Sequence, residues 1–542
     1  MKKSILLVLF CLLFSNLFSG EVIQMPSNSV DKWYSTGVFY ELFVRSFKDS
    51  NGDKYGDFQG VIQKIDYLEK LGITAIWFMP VNDSAEHTNN YDPTNFMDVD
   101  PTYGSLDDFK NLINQLHAKN IKVIIDLVIN HTSDQHPFFI DAAKDKKSKY
   151  RNWYVWSDTN LNETNKKKMW HETPTGWYFG KFVNSKPDLN YDNPEVLAYM
   201  KEVMRFWLDA GVDGFRFDAV ADVTESDEQN FQIFRDFRKV IHEEKYNSKD
   251  IFLIGESSSQ PYTKYLGTGK DMFHAVFNFQ SNRKVLNLVK QETPYTTKGL
   301  FLVEEDLVKR YAKDLKNTEG GFYGTLLTNH DAFSAEDNKK LKRPFTFFEQ
   351  NVEKTKLAGS LYLTFPGIPF VYYGEEIGMD TFTASKSDKW LRSCMQWDDS
   401  KNSGFSPADK LWNMLNENYA LYNVKKQDAD EQSILNHYRS LISIRTQNKA
   451  LSLGSFESIN VKSKNKPQIA VYVREYQGNK VMVIHNFSGK KQTIDLDIAG
   501  STLENKEVTF ITLLGKTAKI TNKKNMIKIS NVNPYSSVIL QF

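Results

Sequence analysis

The chain has 542 residues, of which 41% are hydrophobic, 14% aromatic and 25% charged. At roughly 150 residues per domain that length holds two to four domains, and the 38 Phe, 26 Tyr and 10 Trp exclude a disordered chain, because they supply a large core. Lys and Arg (68) balance Asp and Glu (67) to a formal charge of +1, which leaves no electrostatic case for nucleic acid or an anionic membrane as partner.

Residues 1–20 have the pattern of a secretory signal. Lys2 and Lys3 precede an apolar run over 4–18, interrupted late by Ser15 and Asn16, and Ser19-Gly20 offers a small-residue cleavage site. The run falls short of the about 20 residues of a membrane span, and no later stretch qualifies. Cys11 follows Leu9-Phe10, which is too bulky for a lipoprotein signal. Cleavage leaves Cys394 as the sole thiol and excludes an intramolecular disulfide. The mature chain is therefore expected to be secreted or periplasmic.

From residue 37 to about 448 strand-like runs alternate with amphipathic helices. The first predicted strand is 37–45. Phe58, Val61, Ile62, Ile65, Leu68 and Leu71 then keep helical spacing up to Gly72. A second strand covers 73–79. The next helix carries Phe109, Leu112, Ile113 and Leu116, with Ser105 as its N-cap. The third strand, 121–129, is apolar on both faces, as a buried parallel strand must be. Asn193-Pro194 opens a helix that Gly211 closes. Further strands are predicted at 212–217, 251–254, 275–279, 324–327 and 368–373. Eight βα repeats predict an α/β fold, a (β/α)8 barrel.

Two stretches depart from that rhythm. About 60 residues rich in Lys, Asn, Trp and Tyr follow the third strand, too many for a loop, and predict an inserted domain at 132–190. Beyond about 451 the helical period stops. Short strands at 469–474, 480–486, 492–498 and 536–542 predict an antiparallel C-terminal β-sandwich domain over 451–542. The barrel then comprises 33–131 and 191–450.

Catalytic groups of such a barrel lie at the C-terminal ends of its strands. The third strand ends in Asp126-Leu-Val-Ile-Asn130-His131, the fourth in Gly214-Phe-Arg216-Phe-Asp218, the fifth in Gly255-Glu256-Ser257 and the seventh in Thr328-Asn329-His330-Asp331. Asp218, Glu256 and Asp331 thus reach one rim with Arg216, His131 and His330. Glycosidic cleavage with retention uses one carboxylate as nucleophile and one carboxylic acid as proton donor. Arg216 points to the same side as Asp218 and would keep it ionised. The neighbouring carboxylates would keep Glu256 protonated. His131 and His330 are placed to bond sugar hydroxyls, and Asp331 to hold the 2- and 3-hydroxyls and steady an oxocarbenium-like transition state.

These four segments, in order and at this spacing, resemble the motifs of the α-amylase family, glycoside hydrolase family 13. Asn90-Tyr91-Asp92, Lys186-Pro-Asp188-Leu-Asn190 and Gly367-Ile-Pro-Phe-Val-Tyr-Tyr-Gly374-Glu375-Glu376 extend the match, and the resemblance runs from about Trp33 to the C-terminus. It implies Asp218 as nucleophile, Glu256 as acid/base and Asp331 as transition-state stabiliser. Arg216, His131 and His330 resemble sugar ligands, and Tyr91 the ring stacked under the sugar. Asp92 and Arg392 resemble a pair that closes this subsite in exo-acting relatives. Residues 132–190 correspond to domain B and the C-terminal strands to domain C. Starch-cleaving members often carry Lys-His three and four residues after the nucleophile. Here Ala221 and Asp222 stand there, which puts the leaving-group subsites in question. Ala219, in place of the Val of α-1,6-cleaving relatives, favours α-1,4 bonds. Trp177, Tyr178 and Phe179 belong either to the plus subsites or to the core of domain B.

Asp49-Ser-Asn51-Gly-Asp53-Lys-Tyr55-Gly-Asp57 sets oxygen donors at alternate positions, as in the first half of an EF-hand. Lys54 and Gly60 stand where a full EF-hand has Gly and Glu. The loop resembles a structural Ca²⁺ site of the family, with Asp49, Asn51, Asp53, Asp57 and the Tyr55 carbonyl as ligands. Asn130 and Asp188 offer a second, weaker site. The expected function is a secreted, retaining hydrolase of α-1,4-glucosidic bonds in starch, glycogen or maltooligosaccharides, acting as a monomer with the glucan as its partner and no organic cofactor. The alternatives are an exo-acting α-glucosidase or oligosaccharide hydrolase, an α-glucan transglycosylase, and, remotely, a sugar-binding protein without catalysis.

Overall fold

The computed structural model describes residues 21–542 except 27–29, 86–88, 163–167, 268–270, 295–302, 319, 332–341, 382–387, 463–467, 505–508 and 516–518. The expected signal, residues 1–20, lies outside the described residues. Eight parallel strands close a barrel: β1 (Phe39–Leu42), β2 (Ala75–Phe78), β3 (Lys122–Leu127), β4 (Gly214–Phe217), β5 (Phe252–Gly255), β6 (Ala275–Phe277), β7 (Phe322–Thr325) and β8 (Ile368–Tyr372), with β8 pairing back onto β1. All eight predicted strands are present. The seventh sits two residues earlier than the 324–327 expected, because Phe322 and Tyr323 pair with Ala275 and Val276. The first ends early, as Val44–Phe47 turns into a short helix.

The two-residue period of a strand decides what fills the barrel. Phe39, Ile124, Phe252, Phe277, Phe322 and Phe370 form one apolar cluster inside it together with Trp77. One step further along the inward face come Glu41 on β1, Asp126 on β3 and Arg216 on β4, all buried, with Asp126 in register with Arg216. The top layer of the core is therefore ionic and the layers below it are apolar. Gly214 is required for this closure, since a Cβ there would lie 2.1 Å from the Phe252 carbonyl oxygen.

Helix α1 (Leu106–Ala118) starts at Ser105 in a capping box with Asp108, as the sequence predicts. Helix α2 (Pro194–Ala210) ends at Gly211, whose φ of 110° closes it in the left-handed region. The single helix expected over 58–71 is two, Phe58–Ile62 and Ile65–Leu71, broken at Lys64. The hydrophobic period persists across the break because both pieces face the same core.

Between β3 and α2 the chain forms a helix, Pro137–Lys144, and a three-stranded sheet of Trp156–Ser157, Gly176–Phe179 and Trp170–Thr173. A bridge from His131 to Asp188 holds its two ends together, and one from Tyr154 to Leu189 ties its middle to the returning end. The C-terminal region is a five-stranded and a four-stranded antiparallel sheet around their own apolar core of Ile469, Ile484, Leu496, Ile529 and Leu540. Among the described residues no helix is long and apolar enough to cross a membrane.

Candidate active site

Arg216 is the centre of the rim. Its Nη1 donates to Asp126 at 2.6 Å and to Asp218 at 2.7 Å, and its Nη2 donates to Glu256 at 2.8 Å. One guanidinium thus serves three carboxylates, and its side chain is 1% exposed. A single cation in a low-dielectric pocket cannot balance three anions, so protons must be retained. Burial pushes Glu256 up to about 8, with Asp218 and Asp331 adding to the rise. Burial likewise pushes Asp126 up to about 7. Burial also acts to raise Asp218, but the charge of Arg216, with that of Lys186, outweighs it and holds this carboxyl below the usual aspartate range. The expectation that like charges protonate Glu256 is therefore refined: burial is the larger cause.

Backbone geometry couples the two carboxylates. Ala219, directly after Asp218, has φ 45°, a conformation that costs a non-glycine residue about 1 kcal/mol. That turn aims its N–H at Glu256 Oε2, 3.1 Å away. The Val220 N–H donates to the Glu256 carbonyl at 2.8 Å. The side chains of Asp218, Glu256 and Asp331 are 14%, 21% and 38% exposed, so all three open to the cleft while Asp126 stays sealed beneath.

The two histidines are engaged by the protein. His330 Nδ1 bonds Glu41 at 2.6 Å, and its Nε2 meets the Tyr91 hydroxyl at 2.9 Å and Asp331 at 3.1 Å. His131 Nε2 bonds the Tyr91 carbonyl at 2.8 Å, and its Nδ1 bonds the Asn130 amide at 3.3 Å. Burial lowers both to about 4, which keeps the imidazoles neutral. In this state they position Tyr91 and Asp331. Tyr91 donates its hydroxyl to Asp126 at 2.7 Å and stacks on His330. Arg392 donates to the His330 carbonyl at 3.2 Å and to Asp331 at 3.4 Å, so it orients the third carboxylate. Asp92 is buried beside Tyr91.

Glu41, Asp126 and Lys186 belong to this network without having been given roles from the sequence. A signal for the first two was present: each is the lone acid of its barrel strand. Lys181 was also missed. It lies in the inserted domain, and its ammonium pairs with Asp222 and Glu225 at 3.1 Å each, while its N–H donates to Asp188 at 3.1 Å. The Asn130–Asp188 pair, offered as a second cation site, thus shares its surroundings with a built-in ammonium. Tyr178 packs on Phe139, Trp156 and His171 and belongs to the core of the insertion.

The 49–57 loop is closed on itself. Asp49 accepts from the N–H groups of Asn51, Gly52 and Lys54 and from the Ser406 hydroxyl. Asn51 and Asp53 accept from Asp53 and Tyr55, and Asp57 from Ser50 and Gly60. Among the described residues no three Asp, Glu, His or Cys side chains are placed to hold a metal. The donor set, three carboxylates with an amide and a carbonyl oxygen, is still one that a hard cation takes.

Comparison with known proteins agrees with this geometry. The chain is 37% identical over 516 residues to Alpha-amylase 3 of Dictyoglomus thermophilum, covering 94% of each. It is 30% identical over 545 residues to an oligo-1,6-glucosidase of Bacillus cereus, covering 87% of this chain and 94% of the relative. It is 31% identical to a trehalose synthase/amylase of Mycobacterium tuberculosis, covering 88% and 86%. Among solved structures an α-amylase from H. orenii superposes with a TM-score of 0.78 at 31% identity, covering 93% and 99%. Residues 469–539 match the α-amylase SusG C-terminal domain. Residues 41–454 match the family described as alpha amylase, catalytic domain, and the chain is therefore a member of the α-amylase family of glycoside hydrolases, family 13.

Proposed function

We propose that this glycosidase is a retaining hydrolase of α-1,4-glucosidic bonds in starch, glycogen or maltooligosaccharides. The observation that carries the reading is the division of charge across Arg216: Asp218 is held ionised on one nitrogen and Glu256 kept protonated on the other. Asp218 attacks the anomeric carbon as Glu256 gives its proton to the departing oxygen, which yields a glycosyl ester and a shortened glucan. The Glu256 carboxylate then takes a proton from water, the water oxygen attacks the same carbon, and the ester to Asp218 breaks. Asp331, oriented by Arg392 and His330, stabilises the positive charge that develops on the sugar ring in the transition state of each step.

Proton NMR of the nascent reducing end tests the mechanism. Initial release of the α-anomer supports it, and release of the β-anomer overturns it. Early product lengths from a maltooligosaccharide blocked at its reducing end test the mode of attack: intermediate lengths mean internal cleavage. Stepwise loss of glucose would favour the exo-acting reading, to which the oligo-1,6-glucosidase and trehalose synthase likenesses give weight. We further propose that residues 1–20 direct export of the chain and are removed, which N-terminal sequencing of the mature protein tests. The 49–57 loop is proposed to bind a structural Ca²⁺ through Asp49, Asn51, Asp53, Asp57 and the Tyr55 carbonyl.

A further inference from the structure

On the opposite face of the barrel, below the N-terminal ends of β5, β6 and β7, lies a cavity of about 250 Å³. Its walls are basic. Arg238, Lys32, Lys249, His242 and His274 line it, and Asp250 is the one carboxylate among the lining residues. Asp250 is engaged by Lys32 at 2.7 Å. Asp271, the other acid near Arg238, is held by Arg235 at 2.7 Å.

Arg238 is 8% exposed, and its partners are all neutral. Its Nε donates to His242 Nε2 at 3.3 Å, and its Nη1 donates to the Met272 carbonyl at 3.3 Å and to His274 Nδ1 at 3.0 Å. Among the described residues it has no carboxylate at ion-pair distance. A buried guanidinium with no carboxylate in contact is costly, and burial lowers this one to about 10 against the more distant charge of Asp271. The imidazoles cannot supply the missing charge. His274 Nδ1 also accepts the Leu253 N–H at 3.0 Å, so its proton sits on Nε2. His242 accepts through Nε2 and carries its proton on Nδ1. Tyr34 adds a further donor: it is 5% exposed, its ring stacks on Phe252 at 4.8 Å, and among the described residues its hydroxyl has no hydrogen-bond partner. Lys249 makes no ion pair among them either.

We propose that this cavity is a binding site for a small oxyanion, the phosphate group of a free or sugar-linked phosphate, held by Arg238, Tyr34 and Lys249. Arg238, Tyr34 and Lys249 all offer donors, and a multiply charged oxyanion accepts several hydrogen bonds from such a set. The site lies on the face remote from the catalytic rim, so a bound anion acts on the stability of the fold rather than on the sugar.

Calorimetric titration of the whole protein with inorganic phosphate, at ionic strength matched with chloride, tests the site, with thermal melts alongside. Saturable heat and a phosphate-dependent rise in Tm are expected in the wild type. Arg238→Gln should weaken binding about tenfold or more, the scale of one lost charge-assisted hydrogen bond, and remove the rise in Tm. Tyr34→Phe keeps the stacked ring and Lys249→Gln changes an exposed residue, so both are expected to fold and to bind more weakly. Glucose 6-phosphate in a parallel titration separates the sources: tighter binding than phosphate assigns a phosphorylated sugar, and equal binding assigns the free anion. Absence of saturable heat in the wild type, or unchanged binding in both Tyr34→Phe and Lys249→Gln, overturns the proposal. None of these readings depends on turnover of a glucan.

Discussion

Arg216 carries one positive charge among three carboxylates, and the shape of the pH profile follows from how the protons are shared. The reaction needs Asp218 ionised and Glu256 protonated. The acid limb of kcat/KM is therefore expected below the ordinary aspartate range, and the alkaline limb near the value of about 8 to which burial pushes Glu256. Asp331 is one of the charges that raise Glu256. Replacing it with Asn should move the alkaline limb of the residual rate to lower pH, a shift that mere loss of a sugar contact would not produce. Asp218→Asn is expected to lower kcat by several orders of magnitude with little change in Tm. A different residue governs stability. Burial raises Glu375 to about 8, against the opposing hydrogen bonds of the Tyr438 and Tyr362 hydroxyls. Its folded pKa exceeds its unfolded one, so the stability it gives is complete at low pH and is lost as pH rises toward 8. Glu375→Gln should flatten that decline by up to about 1.4 kcal/mol per pH unit, as read from denaturant unfolding across the range.

The loop after β4 is held from three sides: by Glu256 through the Ala219 and Val220 N–H groups, by the inserted domain through Lys181, and by the positive φ of Ala219 itself. The pairs of Lys181 with Asp222 and Glu225 are partly exposed, and such pairs contribute at most about 1 kcal/mol. Lys181→Met should accordingly lower kcat/KM by no more than about fivefold, chiefly through KM, and Lys181→Arg should restore part of it. At the 49–57 loop the test is removal of the ion. If Ca²⁺ binds there, EDTA should lower Tm and Ca²⁺ should restore it. Asp53→Ala, which alters an exposed position, should abolish the difference.

Across the whole molecule the five-stranded C-terminal sheet is tied to the barrel through a buried arginine, Arg474, while a second, Arg445, braces the barrel side of the same junction. Arg474 donates to the carbonyls of Thr364, Leu451, Gly454 and Ser455. Arg445 donates to those of Leu363, Phe365 and Gly367. The end of the helix Val352–Thr364 thus has its terminal carbonyls satisfied by guanidinium groups, one of them from the C-terminal sheet. Removing 455–542 would take away Arg474 and leave the carbonyls of Thr364, Leu451 and Gly454 without that donor, and the shortened chain is expected to fail to fold. Arg474→Met should cost about 3 kcal/mol or more in chemical unfolding, the scale of several orphaned buried acceptors.

The sequence by itself determined the eight-strand alternation, the rim that gathers Asp218, Glu256 and Asp331, and the caps at Ser105 and Gly211, because strand and helix periods and turn chemistry are local. It also placed Arg216 on the same side as Asp218, a consequence of the two-residue period alone. The break at Lys64 escaped it, since both helical pieces keep one hydrophobic phase. The fate of each polar atom was decided only by the tertiary structure: that His131 and His330 spend their nitrogens on Tyr91, Asn130, Glu41 and Asp331, that Arg392 meets Asp331, that Lys181 crosses from the insertion to the loop after β4, and that Arg238 is buried among neutral partners. Most of those contacts join residues far apart in the chain, and proton affinity depends on burial, which no residue shows until the barrel closes around it.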